Sequence, residues 1–391
     1  MELDSTCGLK AGLTVSLRAD PLKGHKGRLP RGPTGERMAF RRLRVETAFQ
    51  REPLALAGLN NLEKKVIDAA FPPRGNSAGT FDESHSYKTQ TIIKRDGSKR
   101  FLSVPSEKLR EFQRKLLTNF FKSPELLHAA AFAYVPGRSA VQCARVHSAA
   151  RWLIKIDLED FFHSIDDRQL NVEFRRRGVE ERTREALVFL VTRSAEHFDG
   201  PLPKKYSPNW LGRRHRFLPQ GSATSGFLSN LVFYDMDCAF DQKAKELSLS
   251  YSRYADDLIF SSMQDFSREL AEKAMRELVR TLEKNGFRVN RTKTRIIPPG
   301  ARKQVLGVLV GTPGIRLPKP ARQRIDTHLW AIRKYGFTSH CEKVGFRNEY
   351  SLLSSLHGYL VWALSVDHDW ARPRLDELVF LAEEQLGTIK A

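Results

Sequence analysis

The chain has 391 residues, which is enough for two or three lobes around a sizeable buried core. Its 65 Lys and Arg residues outnumber its 45 Asp and Glu residues, and the net charge of +20 favours polyanions such as nucleic acid as partners. The 4 scattered cysteines exclude a disulfide framework, and with no long apolar run and no signal peptide we expect a cytoplasmic protein without a membrane partner.

The first hundred residues contain a basic segment and a predicted hairpin. Residues 1–60 are rich in Gly, Pro and Arg, and we expect a basic N-terminal extension that is either a nucleic-acid contact or a solvated tail. Alternation across residues 87–104, centred on Asp96-Gly97, predicts a two-stranded hairpin. A helix is predicted after it, with a capping-box-like Ser106 at its start.

The middle of the chain alternates predicted helices and strands. A turn at Gly137-Arg138 leads into a predicted helix, and WLIKIDLEDFF then predicts a strand. A helix and a long Pro/Arg-rich loop are predicted over residues 181–216. Residues 218–247 predict a loop that leads into one long helix, and YSRYADDLIFSS at 251–262 predicts a hairpin.

The last third is predicted to be largely helical. The segment DFSRELAEKAMRELVRTLEKNGFRVN has the periodicity of an amphipathic helix that ends at Asn285-Gly286, with a strand after it. From about residue 303, KQVLGVLVGTPGIRLP predicts a short hairpin, and helices follow to the end of the chain.

Three aspartates occupy unusual positions in this pattern. Asp157 interrupts an otherwise apolar predicted strand, where aspartate is disfavoured, and Asp256-Asp257 stand at the tip of the predicted YADD hairpin. If the two elements are neighbours in one sheet, the three carboxylates converge and form an oxygen site suited to Mg²⁺. Two such ions would neutralise the adjacent like charges and would clamp both oxygens of a phosphoryl displacement. An Asp-Asp pair at a turn is weak evidence by itself, because Asp is common in turns.

The order of these motifs resembles that of the palm motifs of reverse transcriptases, from about residue 87 to the C-terminus. IDLEDFFHSI is similar to the first palm motif, LPQGSATSGFLSNL to the second and YADD to the third, with Lys293 in NRTKTR as a fourth feature. The resemblance implies that Asp157, Asp256 and Asp257 hold two Mg²⁺ ions, with Mn²⁺ as a substitute. It also implies that Phe162 is the steric gate against a ribose 2′-hydroxyl and that Lys293 lies near the triphosphate.

Further nucleotide contacts are implied by the same resemblance. Gln220 and Gly221 would form a flexible loop beside the templating base and the incoming nucleotide. Arg100 and Arg138 would grip the triphosphate, because guanidinium groups match phosphate oxygens. Generic surface charge is the alternative for both arginines.

Within this family the chain is most similar to the bacterial retron type, including antiphage defence-associated relatives. Retron enzymes carry Asn and Thr at the positions of Cys143 and Leu306, and Ala, Pro and Pro in the second palm motif at the positions of Ser222, Ala223 and Gly226. These departures leave the predicted catalytic residues intact and bear on recognition of a retron's own RNA. Arg145 and His147 are expected to bind RNA through its phosphates and shape.

The implied fold is a right-hand polymerase fold of mixed α/β class (α+β), with an antiparallel palm sheet and a helical thumb. We expect fingers at 61–150, a palm at 151–300 with a fingers insertion near 181–216, and a thumb at 301–391. The expected function is RNA-directed DNA synthesis on an RNA template with a DNA or RNA primer and dNTPs, in a retron or antiphage defence system. A structured non-coding RNA and an effector protein are candidate partners. The alternatives are template-independent or protein-primed DNA synthesis, and an RNA-binding scaffold with a vestigial polymerase site.

Overall fold

A computed structural model of the protein describes residue 59 and residues 86–94, 97–202, 215–264, 267–312 and 314–387. Several predictions lie outside these residues. They are the N-terminal extension apart from Leu59, position 96 of the first hairpin turn, and residues 203–214 of the Pro/Arg-rich loop. None of the helices in the described ranges is long and apolar enough to span a membrane.

The strands within the described ranges form four antiparallel sheets. β1 pairs with β2, β4 with β5, and β10, β11 and β12 follow one another in a third sheet. The central sheet has the order β6-β7-β3-β8, with β9 also paired to β3. The strand bounds are β1 (Tyr87–Ile93), β2 (Lys99–Pro105), β3 (Trp152–Glu159), β4 (Arg193–Ser194), β5 (Arg216–Phe217), β6 (Ser250–Tyr254), β7 (Asp257–Ser262), β8 (Arg288–Val289), β9 (Arg295–Ile297), β10 (Gln304–Val305), β11 (Val308–Gly311) and β12 (Gly314–Arg316).

The α-helices of the described residues are α1 (Glu107–Asn119), α2 (Ala140–Arg145), α3 (Asp167–Arg176), α4 (Glu181–Val191), α5 (Ser225–Val232), α6 (Tyr234–Glu246), α7 (Arg268–Lys284), α8 (Lys319–Val344), α9 (Glu349–Val366) and α10 (His368–Leu386). Short 3₁₀ helices occupy Pro124–Leu126, Phe162–Ser164 and Ala195–His197. Gly336 interrupts α8 with a non-helical backbone.

Most predicted elements are confirmed, with two corrections. The long helix predicted after the loop within residues 218–247 is interrupted at Phe233 (φ −81°, ψ −1°), whose buried ring packs against Phe161 and Phe287. The capping box predicted at Ser106 is wrong, because this side chain makes no capping hydrogen bond and its backbone N–H donates to the Ser86 carbonyl. Both differences arise from tertiary contacts that local sequence periodicity does not report.

The central sheet is covered on both faces. Ile154, Ile156 and Leu158 of β3 belong to one buried cluster, which includes residues from α3 to α7. Leu153 of β3 and Ile259 of β7 belong to the other, which includes residues of α2, β10, β11 and α8 to α10. Because side chains alternate along a strand, this two-sided burial holds β3 and β7 in a single register. The two strands that carry the predicted aspartates therefore have a rigid support.

Candidate active site

The register of the central sheet brings the predicted aspartates together. Asp157 of β3 lies directly opposite Asp257 of β7. Asp256 occupies the turn before β7, and its carbonyl accepts a hydrogen bond from the Leu158 N–H at 3.0 Å. The three aspartates therefore lie at one end of β3 and β7, and their joint role in holding metal ions stays a prediction.

Burial and neighbouring carboxylates both raise the pKa values of Asp256 and Asp257. Burial raises the pKa of Asp256, and the charge of Asp157 raises it further. Burial also raises the pKa of Asp257, and both neighbouring aspartates add to that shift. Lys293 supplies a cation, with its Nζ 3.3 Å from Asp157 Oδ2, although more than half of the lysine side chain is exposed. A site of this kind favours a bound cation.

Six predicted site residues line one cavity of about 410 Å³: Arg100, Asp157, Phe162, Gln220, Asp256 and Lys293. Asp257 instead lines a neighbouring cavity of about 810 Å³. The smaller cavity thus has two of the predicted aspartates and two of the predicted phosphate-binding cations among its lining residues.

The Gln220-Gly221 loop is held against strand β2. The Ser103 N–H donates to the Gln220 carbonyl at 2.7 Å. Gly221 adopts φ +119°, and a Cβ at this position would lie 2.8 Å from the Ser103 carbonyl oxygen, so only glycine allows this approach. Farther along the loop, Ser222 Oγ donates to Gln113 Oε1 of α1 at 2.9 Å. Gln220 lines the cavity of about 410 Å³, and the loop is tied to β2 and α1 rather than loosely attached.

Arg138 is not brought to the cavity. Its Nη1 donates to the carbonyl oxygens of His128 and Ala131, at 2.8 and 2.6 Å. The structure therefore does not support the predicted triphosphate contact of Arg138, because this guanidinium instead fixes the segment that precedes α2. The turn predicted at Gly137-Arg138 is confirmed.

The two predicted RNA-binding residues differ from each other. Arg145 is exposed, and its Nη2 donates to the Ser365 carbonyl of α9 at 2.7 Å. His147 is 1% exposed, and its two ring nitrogens lie 2.7 Å from the hydroxyls of Ser261 and Ser252. The RNA-binding prediction for His147 is therefore corrected, because its ring is enclosed between α2 and the central sheet. Cys143 is buried beside it, so its substitution removes no exposed RNA contact.

The buried imidazole predicts an acid sensitivity. Burial lowers the pKa of His147 to about 3, against an unfolded value near 6.5. Between these values the unfolded state binds the extra proton, so the free energy of unfolding falls as the pH drops below about 6.5. Between pH 6.5 and pH 5, protonation of His147 in the unfolded state should lower the free energy of unfolding by about 2 kcal/mol, and replacing His147 with Gln should remove this decrease. Denaturant unfolding at both pH values measures this, and an unchanged pH dependence in the variant would contradict it.

The ring at Phe162 is a wall of the cavity, whereas Phe161 belongs to the core. Phe161 is 4% exposed and packs against Phe233 and Phe287. Phe162 is only partly buried, and its ring lies 6.0 Å from that of Tyr134 in an edge-on arrangement. The partly exposed ring, which lines the cavity, supports Phe162 rather than Phe161 as the residue predicted to touch a substrate sugar.

A mutation at each ring distinguishes the two. Phe162→Ala should raise ribonucleotide use relative to deoxynucleotide use by about 10- to 100-fold, on the scale of pocket-shape discrimination. Phe161→Ala should instead lower the free energy of unfolding by about 3–5 kcal/mol, because it empties a well-packed core site. The measurement is the ratio of kcat/KM values for paired nucleotides, together with denaturant unfolding. If Phe161→Ala raises ribonucleotide use and Phe162→Ala does not, the assignment of Phe162 as the ring that faces the sugar is wrong.

Tyr134 is a cavity residue that sequence reasoning missed. It has a left-handed backbone (φ 59°), and its ring lies over Gly226, where an added Cβ would be 2.3 Å from Tyr134 Cγ. The negative charge of Asp256 helps to raise the pKa of the Tyr134 hydroxyl, after the larger effect of burial. The absence of a side chain at Gly226, noted in the sequence as a departure, is the signal that could have indicated a close neighbour.

A buried ion pair holds the aspartate-bearing turn. Arg253 and Asp237 are both fully buried, with Arg253 Nη2 2.6 Å from Asp237 Oδ2 and Nε 2.8 Å from Oδ1. Arg253 Nη1 also donates to Asn230 Oδ1 and to the carbonyl of Ala255, at 2.9 and 3.1 Å. Ala255 has φ 56°, a conformation that costs free energy for a non-glycine residue and here directly precedes Asp256. Sequence reasoning also missed Arg253, which is a positioning residue for the turn.

The cavity, the facing aspartates and the motif order point to one family. Residues 92–310, more than half of the chain, match the family described as reverse transcriptase (RNA-dependent DNA polymerase). This chain belongs to the reverse transcriptase family. The predicted right-hand polymerase fold of mixed α/β class, with its antiparallel sheet, is confirmed with it.

Relatives of this reverse transcriptase are of the retron type, as predicted. The Retron Mx162 reverse transcriptase of Myxococcus xanthus is 35% identical over 243 residues, which cover 60% of this chain and 49% of that protein. The Retron Mx65 reverse transcriptase of the same organism is 31% identical over 226 residues, which cover 58% of this chain and 51% of that protein. The Retron Ec86 reverse transcriptase of Escherichia coli is 24% identical over 87% of this chain and 94% of that protein. The chain spans about half the length of the Myxococcus relatives.

Two solved telomerases are also similar to this reverse transcriptase. Telomerase from Candida albicans matches with 13% identity and a TM-score of 0.41, over 78% of this chain and 64% of that chain. Apo telomerase from Candida tropicalis matches with 15% identity and a TM-score of 0.44, over 80% of this chain and 58% of that chain.

The aspartate carboxylates of this reverse transcriptase are chemically suitable ligands for the predicted Mg²⁺ ions. Carboxylate oxygens are the ligands that Mg²⁺ prefers, and burial, with a smaller effect of the neighbouring aspartates, raises the pKa values of Asp256 and Asp257. Within the described ranges, no three acidic, His or Cys side chains are arranged to hold an ion as they stand. Asp157 and Asp256 share the smaller cavity, and they are the pair that could first engage a metal there.

Proposed function

We propose that this chain is an RNA-directed DNA polymerase that acts in the cytoplasm and adds dNTPs to a primer 3′-hydroxyl. The observation that carries the proposal is the shared cavity, in which Asp157 and Asp256 face the space that Arg100, Phe162 and Lys293 also line. In the reaction, the primer 3′-oxygen attacks the α-phosphorus of the dNTP and pyrophosphate leaves. Phosphoryl transfer of this kind depends mainly on positioning and on charge stabilisation.

Each lining residue has a role in this proposal. Arg100 binds the triphosphate through its guanidinium group, and Lys293 stabilises charge or donates a proton near the leaving pyrophosphate. Phe162 excludes a 2′-hydroxyl, and Gln220 with Gly221 supports the base pair that forms at the cavity. Two divalent ions, Mg²⁺ or Mn²⁺, held by Asp157, Asp256 and Asp257, would supply positive charge at the reacting oxygens when bound.

The lobes of the proposed polymerase follow the sequence boundaries. We assign the fingers to residues 61–150, the palm to 151–300 with an insertion near 181–216, and the thumb to 301–391. Three features support this assignment: the β1-β2 hairpin carries Arg100, the central sheet carries the aspartates, and α8 to α10 lie at the C-terminal end. RNA template and primer would lie between these lobes, attracted by the basic surface, and binding would weaken with salt.

A templated incorporation assay tests the proposal. The wild-type chain is given a heteropolymeric RNA template, an annealed DNA primer, four dNTPs and Mg²⁺, and the product is sequenced. A product complementary to the RNA is the expected result. A product whose sequence ignores the template would favour template-independent or protein-primed synthesis, and tight RNA binding without any product would favour a vestigial scaffold.

The biological setting is a further part of the proposal. The names of the retron relatives favour a retron or antiphage defence system, with a structured non-coding RNA and an effector protein as partners. Sequencing the nucleic acid that copurifies with the chain, expressed with its native flanking DNA, tests this setting. Recovery of one structured RNA encoded beside the gene is expected, whereas recovery of random cellular RNA would contradict it.

A further inference from the structure

Two aromatic rings of the described residues lie close to Phe162, the ring assigned to sugar selection. One belongs to Phe161, which is buried in the core, and its centroid is 5.6 Å from that of Phe162. The other belongs to Tyr134, at 6.0 Å and with an angle of 63° between the ring planes. Tyr134 lines the same cavity of about 410 Å³ as Phe162 does. The orientation of the Phe162 ring at this cavity therefore depends on Tyr134 as well as on the core.

The backbone that leads to Tyr134 is fixed to α5 and to the central sheet. Asn230 of α5 is buried, and its Nδ2 donates to the Ala133 carbonyl at 2.7 Å. The Phe132 N–H donates to the carbonyl of Arg253 in β6 at 2.8 Å. Tyr134 itself has φ 59°, a conformation that costs free energy for a non-glycine residue. The bonds on the preceding residues therefore hold Tyr134 in this conformation, with its ring beside Phe162.

The ring of Tyr134 has room only because residue 226 is a glycine. A Cβ on Gly226 would lie 2.3 Å from Tyr134 Cγ and 2.8 Å from Tyr134 Cβ, far closer than carbon atoms approach one another. The Tyr134 ring thus occupies the space that a side chain at position 226 would otherwise fill. If this ring were removed, the space would be empty, and the Phe162 ring could turn towards it and away from its place at the cavity.

We infer that Tyr134 is a positioning residue for sugar selection: its ring keeps Phe162 in the orientation that excludes a ribose 2′-hydroxyl. This inference rests on the proposed polymerase function, which assigns Phe162 to the nucleotide sugar. Tyr134 acts through Phe162 and needs no contact of its own with the nucleotide. The contact between the two residues is between rings, so a phenylalanine at position 134 would replace Tyr134, whereas an alanine would not.

The first test compares kcat/KM for a dNTP and for the matching ribonucleotide on an RNA template. Tyr134→Ala should lower the preference for the dNTP by about 3- to 10-fold, and Tyr134→Phe should keep the wild-type preference. Tyr350→Ala is the matched control, because Tyr350 is an exposed tyrosine that does not line the cavity, and it should also keep the wild-type preference. An unchanged preference in Tyr134→Ala, or an equal loss in Tyr134→Phe, would overturn the inference.

A double variant shows whether Tyr134 acts through Phe162. Once the Phe162 ring is absent, Tyr134 has nothing to position. Tyr134→Ala combined with Phe162→Ala should therefore discriminate between the two sugars as Phe162→Ala alone does. If the two losses multiply instead, Tyr134 contacts the sugar directly and the inference is wrong.

Denaturant unfolding of wild type, the two single variants and the double variant measures the ring contact without incorporation. The two substitutions should be coupled by about 2- to 10-fold in the unfolding equilibrium constant, as expected for an edge-on aromatic pair. Wild type that incorporates dNTPs selectively but shows no coupling would overturn this inference and leave the polymerase proposal intact. Wild type that shows the coupling but incorporates no nucleotide would instead refute the polymerase proposal, and the role in sugar selection with it.

Discussion

Asp256→Asn should abolish dNTP incorporation, with a loss of at least about 1,000-fold, or about 4 kcal/mol of transition-state stabilisation. Asp157→Asn should do the same. Both side chains line the cavity in which the reaction is proposed, and an amide cannot replace a carboxylate as an ionic oxygen ligand. Primer extension on an RNA template at ordinary Mg²⁺ concentration measures the loss. Wild-type-like incorporation by either variant would refute the assignment of the metal site.

The Asp256→Asn variant should fold and bind RNA as wild type does. Because burial raises the native pKa of Asp256 above its unfolded value, the ionised carboxylate lowers the stability of the native state at neutral pH. Asp256→Asn should therefore melt at the same temperature as wild type or higher near pH 7. Any increase in melting temperature over wild type should disappear below about pH 4, where the Asp256 carboxyl is protonated in both the native and the unfolded state. Asp241→Asn, which removes a surface partner of Lys245, is a control that should retain incorporation.

Arg253→Met should lower the free energy of unfolding by about 3–5 kcal/mol. The substitution leaves the fully buried carboxylate of Asp237 without its guanidinium partner, and Asn230 and the Ala255 carbonyl also lose a donor. Since Ala255 precedes Asp256, the molecules that remain folded should also incorporate dNTPs more slowly. Denaturant unfolding measures the first effect and single-turnover incorporation the second.

A second substitution separates the two effects of Arg253. Replacing Asp237 with Leu in the Arg253→Met background removes the unpaired buried charge, so much of the lost stability should return. Incorporation should stay slow, because the turn at Ala255 still lacks its donor. If the free energy of unfolding of Arg253→Met lies within about 1 kcal/mol of the wild-type value, the ion pair does not stabilise this turn.

Strand alternation predicted the two strands that carry the aspartates. Their pairing was a condition of the predicted site, and the register of Asp157 opposite Asp257 fulfils it. The assignment of Phe162 followed from the resemblance to the first palm motif, where it stands five residues after Asp157.

Contacts between distant segments could not be predicted in this way. Ser252 and Ser261 enclose His147 although they are more than 100 residues away in sequence. The partners of Arg138 are backbone carbonyls, which carry no sequence signal at all. The bidentate partner of Arg253 lies in α6, and only the folded chain shows that the two charges meet.

Because the Gln220-Gly221 loop is attached to β2, the loop and the strand are expected to move as one rigid unit. The backbone bond from Ser103, the close approach at Gly221 and the Ser222–Gln113 bond connect the loop with both the hairpin and α1. If the hairpin tilts when Arg100 meets a triphosphate, the loop must travel with it rather than respond separately. Contact with the nucleotide's phosphates and contact with its base would then form in the same movement. A poorly paired base would therefore oppose the movement that the phosphates favour.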